Sequence, residues 1–266
     1  MMETRSRLIS IYAHRPDAHS FERLLRHLSN QGYKFINLNE LLAWYSDQNA
    51  FAGEKLCFIS LDDGFESNIH LTDACELYQA PLTVFVATRP LDVGSFWWRY
   101  VYQLTHDHKI TGQAMQLPYQ EFCKLVEEAE NSCSLPRVAM TRQQVREFAA
   151  HPLVTIGSHT VTHTILPQMP EDVLNRELQQ SKNQLEALTG QPCEAFSYPN
   201  GSLTQRDVEA VRRVYKIAFS VEQRKPRPDD DLMLVPRIGV TCSPLRDQLK
   251  ICGLWPKLKK IYKLFN

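Results

Sequence analysis

The segment Leu56-Cys57-Phe58-Ile59-Ser60-Leu61-Asp62-Asp63-Gly64 constrains this chain more than any other. An apolar run of strand length ends in two adjacent carboxylates and a glycine. Ionised carboxylates are costly to bury without a partner, so the pair belongs at the C-terminal end of a buried strand, at the mouth of the fold. There it calls for a metal, a proton-transfer role, or both. About a hundred residues on, Leu153–Ile156 reads as another strand, and Gly157-Ser158-His159-Thr160-Val161-Thr162-His163 follows it directly. Together the two segments offer an Asp and two His for a metal, with one Asp left over. Three protein ligands and an open position form the pattern of catalytic zinc sites, and nitrogen and oxygen ligands also admit other divalent transition metals. His-x-x-x-His alone is weak evidence in a chain with nine His. The conjunction of two strand-end motifs is what points to metal-assisted hydrolysis.

Around these segments, strand-like and helix-like stretches alternate. Leu8–Tyr12 reads as a strand; Phe21, Leu24, Leu25 and Leu28 then recur at helical spacing, with Gly32 as a stop. Asn39 is expected to cap a short helix through Leu41, Leu42 and Tyr45, and a helix over Leu71–Leu77 should end near Pro81. Leu82–Val86 is β-branched and aromatic, as strands are. Residues 91–135 break the rhythm: Phe96-Trp97-Trp98-Arg99-Tyr100 and a helix over Tyr119–Glu130 read as an insertion near the site. Thr141 to Gln144 spell a capping box, and Glu171–Leu188 is a long helix between Pro170 and Gly190. Strands over Glu194–Tyr198, Ile217–Val221 and Leu234–Val240, with a helix over Asp207–Tyr215, complete the pattern.

The count is about seven or eight strands with helices between most of them, which predicts a parallel α/β architecture. Asp62-Asp63, His159/His163 and Tyr198-Pro199 all fall at C-terminal strand ends. Convergence from three separated strands suits a barrel better than the single crevice of an open sheet. The expected organisation is one catalytic barrel over residues 1–242, carrying the insertion, and a tail over 243–266.

Composition limits the partners. Lys+Arg and Asp+Glu are both 30, so no global basic field argues for nucleic acid. Seven Cys, an odd number without a CxxC pair, suit buried free thiols in a reducing compartment. The residues before Leu8 hold no signal-peptide apolar region, and no apolar run is long enough to span a bilayer, so the expected location is cytoplasmic. Leu254–Phe265 carries four Lys and a Trp, and Leu258, Ile261, Tyr262 and Phe265 can share one helical face. That suits peripheral contact with an anionic membrane, at its inner face; the alternative is a terminal helix packed on the barrel.

The motifs resemble those of a known family. Ser60-Leu61-Asp62-Asp63-Gly64 is similar to the Thr-Phe-Asp-Asp-Gly motif of polysaccharide deacetylases, the NodB-homology group related to carbohydrate esterase family 4. His159-Thr160-Val161-Thr162-His163 resembles its His-Ser/Thr-x-x-His motif, and Phe196-Ser197-Tyr198-Pro199-Asn200-Gly201 its third motif in the Tyr-Pro-x-Gly form. The resemblance runs from about Leu8 to Val240 and implies a distorted (β/α) barrel, often of seven strands. It further implies that Asp63, His159 and His163 hold a divalent metal, with zinc the first candidate. Asp62 would be the general base, and the backbone N–H of Tyr198 would help stabilise the oxyanion. The implied substrate is an N-acyl, foremost N-acetyl, amide on an amino sugar of a surface polysaccharide or lipid-linked glycan precursor.

Two departures stand out. The family's third motif usually begins with an Arg that orients the catalytic Asp; here no Arg precedes Tyr198, and Arg237, in Val235-Pro236-Arg237-Ile238-Gly239, is the candidate replacement. Many members use a late His as general acid, yet no His follows His163, which leaves His14 or Asp62 itself after it gains a proton. The aromatic run Phe96–Tyr100 reads either as a platform for sugar rings or as the packing face of the insertion. Two other readings remain: hydrolysis of a non-sugar amide at the same site, and a catalytically impaired homologue that binds glycan without turnover.

Overall fold

The computed structural model describes residues 7–47 and 49–252. In chain order the elements are β1 (Arg7–Ala13), α1 (Ala18–Asn30), β2 (Tyr33–Ile36), α2 (Leu38–Ser46), β3 (Lys55–Leu61), α3 (Thr72–Tyr78) and β4 (Leu82–Val86). Four helices follow, α4 (Pro90–Val93), α5 (Trp97–Thr105), α6 (His108–Ala114) and α7 (Tyr119–Ser132). Then come α8 (Arg142–Ala149), β5 (Val154–Ser158), α9 (Glu171–Thr189), β6 (Ala195–Ser197), α10 (Gln205–Arg212), β7 (Ile217–Phe219), β8 (Ile238–Gly239) and α11 (Pro244–Ile251).

All strand pairings are parallel, in the order β7-β6-β5-β4-β3-β1-β8. β2 lies off this path: it pairs with the first half of β3, Lys55 to Phe58, and β4 pairs with Ser60 and Leu61 farther along. The sheet curls until its edges meet through one segment. Val235 bridges to Phe219 of β7, and Ile238 and Gly239 pair with Ile11 and Tyr12 of β1. This is the expected distorted (β/α) barrel. Every residue of β3 after Lys55 is buried, which is why the strand reads as a continuous apolar run rather than an alternating one. Phe21, Leu24, Leu25 and Leu28 form the buried face of α1, each at most 1% exposed, and Asp17 caps that helix by accepting from Ser20 N.

Several local expectations need correction. The cap of α2 is Asn37, not Asn39: Asn37 Oδ1 accepts from Glu40 N while Glu40 Oε2 accepts from Asn37 N, a reciprocal box that starts the helix two residues earlier. β2 went unread, since four residues with only two buried carry little periodic signal. The strand expected over Leu234–Val240 is broken. Pro236 has no N–H for a ladder, and the chain changes partner there, from β7 to β1.

The insertion is four helices, α4 to α7: Leu91 of α4 packs in the main core, while α5, α6 and α7 share a core of their own built from Trp97, Tyr100, Val101, Ala114, Phe122 and Ala129. Its first half lies over the open end of the barrel. At the other end of the chain, α11 sits against α1 through Gln248 Oε1, which faces His27 Nε2 (3.1 Å) and accepts from Gln31 Nε2 (3.0 Å). Residues 253–266, which carry the expected membrane-facing surface, lie outside the described residues. No described helix is long and apolar enough to cross a membrane. The seven Cys are free, and four of them, Cys57, Cys75, Cys193 and Cys242, are buried.

Candidate active site

The site is built where β1, β3, β5 and β6 end, with Arg237 reaching in from just before β8. Asp62 follows β3 directly, and its backbone N–H donates to Ala13 O (3.0 Å), extending the β1–β3 ladder by one residue. The next residue, Asp63, has φ +77°, and Gly64 has φ +85°. A left-handed Asp turns the chain sharply, so the two neighbouring carboxylates take separate environments. Thr160, at φ +66°, and His163, at φ +57°, do the same for the loop after β5. The third segment turns at Asn200, φ +55°, and Gly201, φ +67°. Non-glycine residues in this region are uncommon, and four of them gather here.

Asp63, His159 and His163 are at most 8% exposed, and one potential ligand atom from each falls within 4.8 Å of the others. Asp63 Oδ1 lies 3.1 Å from His163 Nε2 and 3.5 Å from His159 Nε2. It nevertheless makes no hydrogen bond of acceptable angle, although it is fully enclosed. His159 Nδ1 donates to Ser197 O (2.7 Å), which fixes the tautomer and turns the Nε2 lone pair toward Asp63. A lone pair facing a carboxylate oxygen in a dry site repels it unless a cation lies between them. Ligand arms of about 2.0–2.2 Å give tetrahedral edges of about 3.4 Å, close to both distances. The donor set therefore fits a divalent cation. Burial, the largest influence, holds the His163 imidazole below its ordinary pKa and keeps it a neutral ligand.

Asp62 meets a different partner. Arg237, fully buried, donates from Nη1 to Asp62 Oδ1 (2.7 Å) and from Nη2 to Asp62 Oδ2 (2.9 Å). Its remaining donors reach Ser60 Oγ (3.1 Å), Ser197 Oγ (2.8 Å) and Ser220 O (3.1 Å). Five N–H groups make five bonds, which is all a guanidinium can offer. The Tyr12 ring, 4.4 Å from the guanidinium carbon, covers one face. Burial alone would push the Asp62 carboxyl up; the charge of Arg237 and its hydrogen bonds outweigh it, and the net shift is downward. Arg237 is thus the guanidinium that meets the Asp62 carboxylate.

Tyr198 is held through its backbone. Its backbone N–H donates to Phe219 O (3.3 Å), continuing the β6–β7 ladder. The donor expected to serve an oxyanion is already engaged and would have to share or leave that bond. The side chain is 1% exposed and lines the cleft. Ser197 was missed by sequence reasoning, yet its Oγ holds Arg237 and its carbonyl holds His159. Its place inside the Phe-Ser-Tyr-Pro motif was the one available signal.

These groups open into a cleft of about 730 Å³, to which His14, Arg15, Trp98, His108, Met115 and Asn200 also contribute. Asn68, fully buried, donates from Nδ2 to the carbonyl of His14 (3.0 Å) and so anchors the loop after β1. The aromatic run divides between its two readings. Phe96, Trp97 and Tyr100 pack inside, while Trp98 is half-buried, stacks on Phe96 (4.7 Å between centroids) and meets the His163 ring edge-on (4.7 Å).

Comparison with known proteins agrees with this geometry. The sequence profile described as "Polysaccharide deacetylase" matches residues 51–216, more than half of the chain. The chain belongs to the polysaccharide deacetylase family. Its members are metal-dependent carbohydrate-active hydrolases, and the buried Asp–His–His cluster of this deacetylase is compatible with metal binding. No curated protein sequence matches it. Among solved structures it is similar to the Streptococcus pyogenes deacetylase PplD in complex with acetate, with 17% identity and a TM-score of 0.65 over 92% of this chain and 96% of that one. IcaB from Ammonifex degensii gives 20% identity and a TM-score of 0.66 over 93% and 99%. A de-N-acetylase from Aggregatibacter actinomycetemcomitans gives 16% and 0.64 over 90% and 96%. At these identities the likenesses establish the shared fold of the deacetylase.

Proposed function

We propose that this deacetylase hydrolyses an N-acyl, foremost N-acetyl, amide on an amino sugar of a surface polysaccharide or lipid-linked glycan precursor. The observation that carries the reading is the division of labour between adjacent carboxylates: Asp63 faces two imidazoles, and Asp62 is clamped by a buried Arg237. Asp63, His159 and His163 would hold the metal, zinc by preference for this donor set. When bound there, a divalent cation supplies Lewis acidity, polarising the amide carbonyl and acidifying a water enough for a base as weak as Asp62.

Asp62, kept ionised by Arg237, accepts the proton of the water that attacks the carbonyl carbon. The C–O bond forms, the C–N bond breaks, and the amine leaves with a proton supplied by the chain. His14, at the rim of the same cleft and held through its carbonyl by Asn68, is the group we assign to that donation. Trp98 offers an aromatic face beside His163 for a sugar ring. Arg15 sits over Phe65 (5.7 Å) at the same rim, and among the described residues no carboxylate pairs with it. That free charge suits the phosphate of a lipid-linked precursor.

The test is release of acetate or formate from amino-sugar substrates by zinc-loaded protein. Asp62→Asn should bind metal normally and lose hydrolysis. His14→Ala should lower kcat by about 10²- to 10⁴-fold with zinc binding unchanged. Wild-type protein that binds metal and releases no acid from any amino-sugar amide refutes the proposal. An unchanged kcat in His14→Ala returns the acid role to Asp62.

A further inference from the structure

The loop that carries both metal-binding imidazoles, His159 to His163, has almost every backbone polar group pinned. His159 N–H donates to Val86 O (3.1 Å), and Thr160 O and Val161 O accept from Thr88 N (3.2 Å) and Arg89 N (2.8 Å). His163 N–H donates to Thr160 Oγ1 (2.9 Å), and His163 O accepts from Trp97 Nε1 (3.1 Å). The two central N–H groups, of Val161 and Thr162, converge on a single atom, Glu177 Oε2, at 2.8 and 3.0 Å. Glu177 projects from α9, is 7% exposed, and forms no ion pair with a basic side chain among the described residues. A buried carboxylate without a cationic partner is unfavourable, and two amide donors offset only part of that cost.

What they achieve is local. Thr160 and His163 both sit at positive φ, a conformation that the four-residue turn would not hold unaided. Among the described residues, Glu177 is the one side chain that holds the backbone N–H groups between these two residues. We propose that Glu177 is a positioning residue that presets the His159–His163 turn for metal capture, and that its negative charge, behind the loop, adds to the attraction for a divalent cation. The inference rests on the reading that Asp63, His159 and His163 bind a metal. With a divalent cation and the Asp63 carboxylate the centre carries one net positive charge, and ionised Glu177 balances it. Two neutral imidazoles cannot do so.

The experiment is zinc titration of metal-free protein against a chromophoric chelator, for wild type, Glu177→Ala, Glu177→Gln and Leu185→Val. Leu185 is a buried core residue of the same helix that none of the loop's hydrogen bonds involves, so its variant reports on general loosening of α9. Glu177→Ala should raise the zinc Kd by about 10- to 100-fold, as loss of an outer-shell partner does. Glu177→Gln keeps an acceptor but no charge and should raise it by a smaller factor. Leu185→Val should melt earlier with its zinc Kd unchanged. Glu177 variants that bind zinc within twofold of wild type would overturn the inference, as would an equal loss in Leu185→Val. If the alanine variant does not fold, the glutamine variant decides alone. Wild-type protein that fails to bind zinc refutes the metal site itself, which separates the two failures.

Discussion

The Arg237–Asp62 pair offers the sharpest test of the site. Its side chains are 0% and 4% exposed, and two charge-assisted bonds of 2.7 and 2.9 Å join them. Arg237→Met leaves Asp62 buried without its cation, which costs about 3–5 kcal/mol for a pair of this kind. Asp62→Asn leaves the cation with an amide that accepts from only one of the two Nη groups, at a cost of about 1.5–3 kcal/mol for the lost charged bond. The double variant carries neither charge, so the second substitution should cost little once the first is made. The coupling energy from the cycle is then expected at about 2–3 kcal/mol, the upper part of the range for residues in contact. Urea unfolding of metal-free proteins, followed by circular dichroism, measures it without interference from metal loss. In zinc-saturated protein, Arg237→Met should lower kcat by about 10²- to 10⁴-fold, the contribution of a positioned base, and the double variant should be no slower than Asp62→Asn. Stabilities that add to within 0.5 kcal/mol, or an Arg237→Met kcat within threefold of wild type, would show that Arg237 does not hold the base.

Other consequences can be checked directly. Removing metal with a chelator should abolish hydrolysis and lower Tm, and zinc at about a hundred times its Kd should restore about 2.7 kcal/mol of stability; a metal-independent Tm contradicts the site. Gly157→Ala would place a Cβ 2.5 Å from the Phe85 ring and 3.1 Å from Ala195 O, two residues before His159. It should destabilise by about 1–3 kcal/mol and weaken zinc binding, and a neutral result would mean that the β4–β5 packing is looser than the structure shows. Burial, the largest influence on Glu177, raises its carboxyl pKa despite the Val161 and Thr162 N–H groups. The metal-free fold therefore keeps the proton to higher pH than the unfolded chain does, and stability falls as pH rises from the ordinary glutamate value through the raised one. Glu177→Gln should flatten that slope, and an unchanged slope in urea unfolding between pH 4 and 8 assigns it to another group. Arg15→Ala should raise KM for a phosphorylated amino-sugar amide several-fold and leave KM for a neutral chito-oligosaccharide unchanged; equal effects on both remove the anion role.

The parts of the site visible in the sequence are those whose chemistry is local. Asp62-Asp63-Gly64 and His159 to His163 declare themselves because ligand type, spacing and a preceding apolar strand are all read within a dozen residues. Arg237 could be nominated only because the expected position lacked an Arg; nothing around it in sequence says that it is buried. Ser197 had only its place in the third motif to mark it, and Glu177 had nothing, since a Ser in a strand and a Glu in an amphipathic helix are ordinary residues until the fold sets one against a guanidinium and the other against two amides. The fold shows the same division. The long helices and the fully buried β3 are periodic enough to read, while β2 has four residues and β8 two. Such short strands exist because their neighbours pair with them, and propensity does not announce them.

Arg237 also explains how a deacetylase of this kind can dispense with an Arg in the motif before Tyr198. Asp62 needs a planar fork of donors at its carboxylate, from whichever direction the fold can deliver one. Here the fork comes from the segment that closes the barrel, between the bridge of Val235 to β7 and the pairing of Ile238 with β1. One guanidinium then ties together Ser60 on β3, Asp62 beyond it, Ser197 on β6 and Ser220 after β7. The closure of the barrel and the orientation of the Asp62 carboxylate become a single arrangement. A change that loosens the last strand must also release the carboxylate, and this ties Asp62 to the segment where Pro236 limits the chain to two short pairings.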